Sequence, residues 1–97
     1  MTYYTRREVV ELLEIDEVFL VSLEREDIVL RDAPPDVEGE FSERMLERAR
    51  VAQNLVRDLE VNLPGVAVIV RLREEMAGLR RHLEDLLAKL GERPRSR

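Results

Sequence analysis

Several residue types are absent or rare in this 97-residue sequence, and each absence excludes a class of structure. There is no cysteine, which excludes disulfide bonds and thiolate metal sites and fits a reducing compartment. Only four glycines and four prolines are present, so there are few places for turns. No apolar run approaches the ~18 residues that a transmembrane helix requires, and the polar start has no signal-peptide core. We therefore expect a cytoplasmic protein with no membrane contact.

The composition favours helices, and the charge is unevenly divided. Aromatic residues make up only 4% of the chain, whereas 44% is hydrophobic and 38% is charged, a profile typical of helices that pack through Leu and Val. The net charge is −5, but residues 1–43 hold 13 acids and 4 bases, whereas residues 44–97 hold 8 acids and 12 bases. The acidic first half disfavours attraction to nucleic acid and favours a partner surface that is selective for charge.

Capping signals in the first quarter of the chain predict two short helices. Thr5 and Glu8 have the spacing of a capping box, and the helix that they begin is expected to end near residues 13–14. Asp16 is a good N-cap for a second helix, which would run to about residues 23–25. Two helices joined by so short a break form a helix-turn-helix.

The segment 28–41 that follows has the composition of a turn. Pro34-Pro35 excludes a helix there, and Gly39 offers a position with positive φ. We interpret the segment as a small β-hairpin or a loop, called the wing below, from which Val37 or Phe41 covers the core.

Two further helices complete the expected fold. Ser42 is the predicted N-cap of a helix over about 43–61. A long helix is expected over about 64–90, ended by Gly91, with a basic, disordered tail over 92–97.

The last helix carries an apolar stripe with alternating spacings of three and four residues, which is the a/d pattern of a coiled coil. Because an isolated helix of this length is marginal in water, the stripe needs a partner, and a homodimer is expected. In an antiparallel pair centred near His82, Glu75 would approach Lys89 of the second chain. The predicted dimerisation residues are Ile69, Leu72, Met76, Leu79, Leu83, Leu86 and Leu90.

The order helix-turn-helix, wing, helix, long helix resembles the MerR-type winged-helix proteins, as does the motif Tyr4-Thr5-Arg6-Arg7-Glu8-Val9. Within that superfamily, Asn62-Leu63-Pro64-Gly65-Val66-Ala67 resembles the hydrophobic-Pro-Gly linker of the CbpM chaperone modulators. The resemblance implies a mainly α fold, with a winged helix-turn-helix domain over 1–61 and a coiled-coil helix over 62–91. It also implies binding to the J-domain of a DnaJ- or CbpA-like co-chaperone, and regulation of its action on DnaK.

The second helix departs from the MerR pattern where that family reads DNA. Val18 and Val21 stand at the positions that carry Arg in MerR-type readers, and acids begin the helix. The wing repeats the departure, because Arg31 is the one base that faces four acids, Asp32, Asp36, Glu38 and Glu40. Phosphates would meet net negative charge on both elements, so DNA binding is disfavoured.

The same substitutions suit a protein partner. Val18 and Val21, with Phe19 as a further candidate, would form an apolar centre within a rim of acids, as in many protein interfaces. The resemblance implies a partner with a basic helix, which an acidic rim attracts. The alternative is that these apolar residues belong partly to the core and that the acids form a solvated face. The predicted partner-binding residues are Glu14, Asp16, Glu17, Val18, Val21, Glu24, Glu26 and Asp27.

Nothing in the sequence points to catalysis, a metal or a cofactor. His82 is the sole histidine and lies at an outer position of the heptad helix, and the wing acids lack EF-hand spacing. Arginines of the second half, such as Arg44 and Arg48, alternate with Glu and are expected on solvated faces, or alternatively against the acidic half of a second chain in the dimer. The alternatives to a chaperone modulator are a MerR-like DNA-binding regulator and a structural coiled-coil adaptor.

Overall fold

Four helices and two short strands make up the protein in the computed structural model, which describes residues 1–92. The mainly helical fold class is therefore confirmed. In chain order the elements are β1 (Tyr3–Tyr4), α1 (Arg6–Leu13), α2 (Glu17–Arg25), β2 (Phe41–Ser42), α3 (Glu43–Leu59) and α4 (Leu63–Glu92).

The three predicted N-caps are all present. Thr5 and Glu8 form the reciprocal capping box of α1, with N–H···O distances of 3.1 and 2.8 Å. The Asp16 carboxylate accepts from the backbone N–H of Phe19 at 2.8 Å, and the Ser42 hydroxyl accepts from that of Met45. Each cap satisfies an N–H group that the first turn of a helix leaves without a partner.

The wing forms a loop, which is one of the two structures expected for it. Residues 26–40 contain no strand, and β2 pairs antiparallel with β1, so that Tyr3 lies opposite Ser42 and Tyr4 opposite Phe41. Pro34-Pro35 supplies no N–H groups for a ladder, which explains why the segment forms a loop. Gly39 has the predicted positive φ, 119°, and a Cβ there would lie 3.1 Å from the backbone of Tyr3.

Phe41 is the largest side chain in the core and is only 1% exposed, whereas Val37 lies on the surface. The core takes residues from every helix and from the segment after α2. Its buried members are Val9, Leu13, Leu20, Leu23, Ile28, Val29, Phe41, Met45, Leu46, Ala49, Ala52, Val66 and Val70.

The long helix α4 begins inside this core and then leaves it. Val66 and Val70 are buried, so the first turns of α4 pack with residues of the 1–61 domain, and the boundary at residue 62 stays a prediction. The Asn62 side chain accepts from the backbone N–H of Gly65 at 2.9 Å and so caps α4. Gly91 was expected to end the helix, but α4 continues through it to Glu92. The rest of the predicted tail, 93–97, lies outside the described residues.

Candidate protein-binding surface

The turn between α1 and α2 holds two of the predicted partner-binding acids. Glu14 ends α1 in the left-handed conformation, with φ at 53°, and Asp16 begins α2 as its N-cap. Both line one open cleft of about 270 Å³, together with the half-buried apolar side chains of Ile15, Phe19 and Val56. The two acids therefore lie together beside an apolar surface.

Glu17 and Glu24 are also brought together, by Arg6, a residue that no sequence pattern singled out. Arg6 donates from Nε to Glu17 at 3.1 Å and from Nη1 to Glu24 at 2.9 Å. Its Nη1 also lies 3.9 Å from a carboxylate oxygen of Glu40, at the end of the wing. The hydrogen bond to Glu24 and, after it, the one to Glu17 raise the pKa of Arg6.

One signal could have identified Arg6. It occupies the first turn of α1, where the helix dipole disfavours a positive charge, in a half of the chain that has only four bases. A cation at such a position needs compensation from nearby carboxylates. The Arg6 side chain is 28% exposed, so its ion pairs are partly shielded from water.

The apolar centre of the predicted surface is smaller than expected. Val18 is 74% exposed, whereas Val21 is half-buried. Phe19 is half-buried and packs against the core, which agrees with the alternative interpretation of this residue. Val18 is therefore the main apolar residue that a partner can reach on the outer side of α2.

Glu26 and Asp27 lie at the opposite end of α2 from the cleft. Glu26 is the C-cap residue, and Asp27 adopts φ of 57° just before the buried Ile28. Because nine helical residues span about 14 Å, Glu26 and Asp27 are too far from Glu14 and Asp16 to form one group with them. The predicted acids thus form two groups at the ends of α2, with the two carboxylates bound by Arg6 between them. Within residues 1–92, the ion pairs of this face involve Glu17 and Glu24 but not Glu26 or Asp27.

Two of the four wing acids have structural contacts. Asp32 accepts from the backbone N–H of Ser42 at 2.8 Å and from its hydroxyl at 2.5 Å. Glu40 lies 3.4 Å from Arg31 as well as near Arg6. The wing is therefore anchored to β2 and α1. Within the described chain, no group of three or more His, Asp or Glu residues could hold a metal ion.

A second surface is the heptad stripe of α4. Ile69 is half-buried, and the other six stripe residues are exposed, Leu79 the most at 69%. Every residue from 79 to 91 is exposed, His82 among them, so this part of α4 projects from the domain as an arm. The overall dimensions of 64 × 36 × 19 Å reflect that shape.

An ion cluster links α3 to α4 near the base of the arm, and it is formed by Arg44 and Arg48, which were expected on solvated faces. Arg48 donates to both carboxylate oxygens of Glu74, at 2.8 and 2.6 Å, and Arg44 donates to the same group at 2.9 Å. Arg48 also donates to the Ile28 carbonyl at 3.3 Å and is only 16% exposed. The hydrogen bonds from Arg48, followed by those from Arg44, lower the pKa of Glu74 to about 2. This cluster joins α3, α4 and the segment after α2.

A family model described as "MerR HTH family regulatory protein" matches residues 4–87, which is most of the chain. The chain belongs to the MerR HTH family. Two relatives named "Chaperone modulatory protein CbpM", from Coxiella burnetii strains Dugway 5J108-111 and RSA 331 / Henzerling II, are 37% identical over 46 residues. The match covers 47% of this chain and 43% of each relative, so the chain spans less than half the length of the curated relatives that it matches.

These comparisons confirm the resemblance to CbpM-type members of the MerR family. Neither the family description nor the relatives' name denotes an enzyme. No solved structure gives a significant match. Among the helices of residues 1–92, none combines the length and the apolar character needed to cross a bilayer.

Proposed function

We propose that this MerR-family chain is a chaperone modulator that binds the J-domain of a DnaJ- or CbpA-like co-chaperone and regulates its action on DnaK. The observation that carries the proposal is the exposure of Val18 on the outer side of α2. Exposed Val18 and half-buried Val21 replace the arginines of a MerR-type DNA reader, between acids at both ends of the helix. The name of the Coxiella relatives supports the same role.

The chemistry of this surface suits a basic protein partner. Acids at both ends of a helix attract a positively charged surface over several ångströms, which speeds encounter. An exposed valine between them gives apolar contact once water is expelled, which slows release. Phosphate groups gain nothing from such a surface, because binding to DNA depends on cations.

Titration of the full chain with a purified J-domain at two salt concentrations tests the proposal. We expect micromolar or tighter binding that weakens at the higher salt, because the acids contribute part of the attraction. Val18→Asp should weaken binding at least about tenfold, since it places a charge in the apolar centre. Val37→Asp is the matched control, because it makes the same change at an exposed valine of the wing.

Absence of J-domain binding at micromolar concentration would overturn the proposal. If Val18→Asp and Val37→Asp changed the affinity for the J-domain equally, α2 would not be the contact surface. Salt-dependent binding to duplex DNA in a shift assay would favour the DNA-binding regulator instead, and retention of all partner binding by Val18→Asp together with Glu17→Lys would favour the coiled-coil adaptor.

The arm of α4 supports a further part of the proposal, which is that the protein acts as a homodimer. A helix that projects with six large apolar side chains exposed along one stripe is marginal in water, and a 3.5-residue period fits a second helix of the same kind. The antiparallel register predicts that Glu75 lies near Lys89 of the second chain.

Sedimentation or light scattering tests the dimer. Leu79→Asp should give monomers, whereas Leu59→Asp should not, because Leu59 is equally exposed but lies on α3, outside the stripe. The absence of natural cysteines allows a clean cross-linking test, in which Glu75→Cys and Lys89→Cys chains are mixed and oxidised. A disulfide-linked heterodimer is expected. A monomeric wild-type chain would refute the dimer, and failure to cross-link would refute the register.

A further inference from the structure

Arg6 occupies an unusual place on the proposed partner surface, because its guanidinium neutralises acids in the middle of that surface. It binds Glu17 and Glu24, which flank the outer side of α2 near Val18 and Val21. The acids at the C-terminal end of α2 differ from these two, since within residues 1–92 neither Glu26 nor Asp27 takes part in an ion pair of this face. The charge that the partner meets is therefore weakest at Glu17 and Glu24, the two acids that Arg6 neutralises.

We infer that Arg6 is an internal competitor for the partner, and that a cation of the partner replaces it on Glu17 and Glu24 when the complex forms. The inference deepens the proposed function and rests on it. A partner that satisfies it must carry an arginine or lysine that approaches α2 between Glu17 and Glu24. Those two residues lie seven positions apart, about 10 Å along the helix.

The ion pairs of Arg6 are suited to such an exchange. Arg6 divides its donors between two carboxylates, with one N–H group to each, instead of making a bidentate pair with one of them. The Glu17 side chain is 61% exposed, so a second cation can reach it from solvent. Exchange of one guanidinium for another keeps each carboxylate paired, and Arg6 retains Glu40 nearby.

The consequence is that removal of a positive charge at residue 6 strengthens partner binding even though it weakens the fold. Arg6→Gln releases two carboxylates for the partner. Arg25→Gln is the matched control, because it removes the same charge from an exposed site on α2 that has no ion pair within residues 1–92. The two variants have equal net charge, so net charge does not contribute to a difference in affinity between them.

The experiment is a titration of the full chain with the purified J-domain, with wild type and variants compared at one salt concentration. We expect Arg6→Gln to bind roughly threefold to tenfold more tightly than Arg25→Gln, and Arg6→Lys to bind with an affinity between those of wild type and Arg6→Gln. Equal affinities of the two Gln variants overturn the inference and leave the proposed function intact. If wild type itself does not bind, the proposed function fails.

Two further measurements test the role of Arg6 if Arg6→Gln does not fold, or if the J-domain is the wrong partner. In the wild-type background, Glu24→Gln should weaken J-domain binding less than Glu26→Gln, because Glu24 is already paired with Arg6. Hexalysine, monitored by the carboxyl NMR signals of Glu17 and Glu24, should shift those signals more in Arg6→Lys than in wild type, since lysine holds the two acids less firmly. The reverse order in either measurement overturns the inference.

Discussion

Replacement of Glu74 by Gln tests the ion cluster that fixes the arm to the domain. Glu74 receives three hydrogen bonds from Arg44 and Arg48, and its pKa falls from an ordinary value of 4.5 to about 2. A lowered carboxyl pKa stabilises the folded state at neutral pH, and without solvent screening this shift would correspond to roughly 3 kcal/mol. Since the Glu74 side chain is 32% exposed, we expect Glu74→Gln to lower the free energy of unfolding by about 1–2 kcal/mol at pH 7.

The pH dependence has a definite sign. A carboxyl whose pKa is lower in the folded than in the unfolded state stabilises fully above its unfolded value and loses that contribution as the pH falls. The difference between wild type and Glu74→Gln should therefore be constant above about pH 5 and shrink between pH 4.5 and 2.

Urea unfolding monitored by far-UV circular dichroism at several pH values measures both effects. Protein concentration must be constant, because dimerisation stabilises the folded state by mass action. Glu84→Gln is the control, since Glu84 is an exposed residue of the same helix that carries the same charge, lies outside the heptad stripe and has no ion pair within residues 1–92. An equal loss in both variants, or a Glu74→Gln loss that does not change with pH, would refute the role given to the cluster.

Three further predictions concern the domain itself. Phe41→Ala should lower the free energy of unfolding in urea by about 3–5 kcal/mol, because the ring is almost fully buried, and a loss below 1 kcal/mol would contradict that burial. Thr5→Ala removes one half of a capping box and should cost about 1 kcal/mol in the same assay, while Thr2→Ala, outside any helix, should have no effect. Glu60→Gly should stabilise by about 0.5–1 kcal/mol and raise the melting temperature, because Glu60 holds φ at 54°; a lower melting temperature would contradict this.

The features that were predictable from the sequence are those whose signal is local. Thr5, Asp16 and Ser42 each stand directly before an amphipathic segment, and a cap bonds to an N–H group three residues later. The α4 stripe is local in the same sense, because its members recur along one helix. The stripe is exposed in the single chain, and its role in a dimer stays a prediction.

The features that could not be predicted depend on contacts between distant residues. Pairing of β1 with β2 brings Tyr4 against Phe41, and two-residue strands have too little periodicity to signal it. Arg6 and Glu24 are 18 positions apart, and Arg48 and Glu74 are 26 apart. An alternation of Arg and Glu along a helix fits either a solvated face or a cross-helix ion pair, so only the packing of α3 against α4 distinguishes them.

The structure of α2 shows how one fold can present different partner surfaces. Leu20 and Leu23 are fully buried and hold the helix in the core, whereas Val18 lies on its outer side. Because inward and outward positions alternate around a helix, a change at residue 18 alters the partner surface without disturbing the packing beneath it. Replacement of cations by valines removes the attraction to phosphate and adds apolar area in the same step. Under the proposed function, a change of partner class requires few substitutions on the outer side of α2.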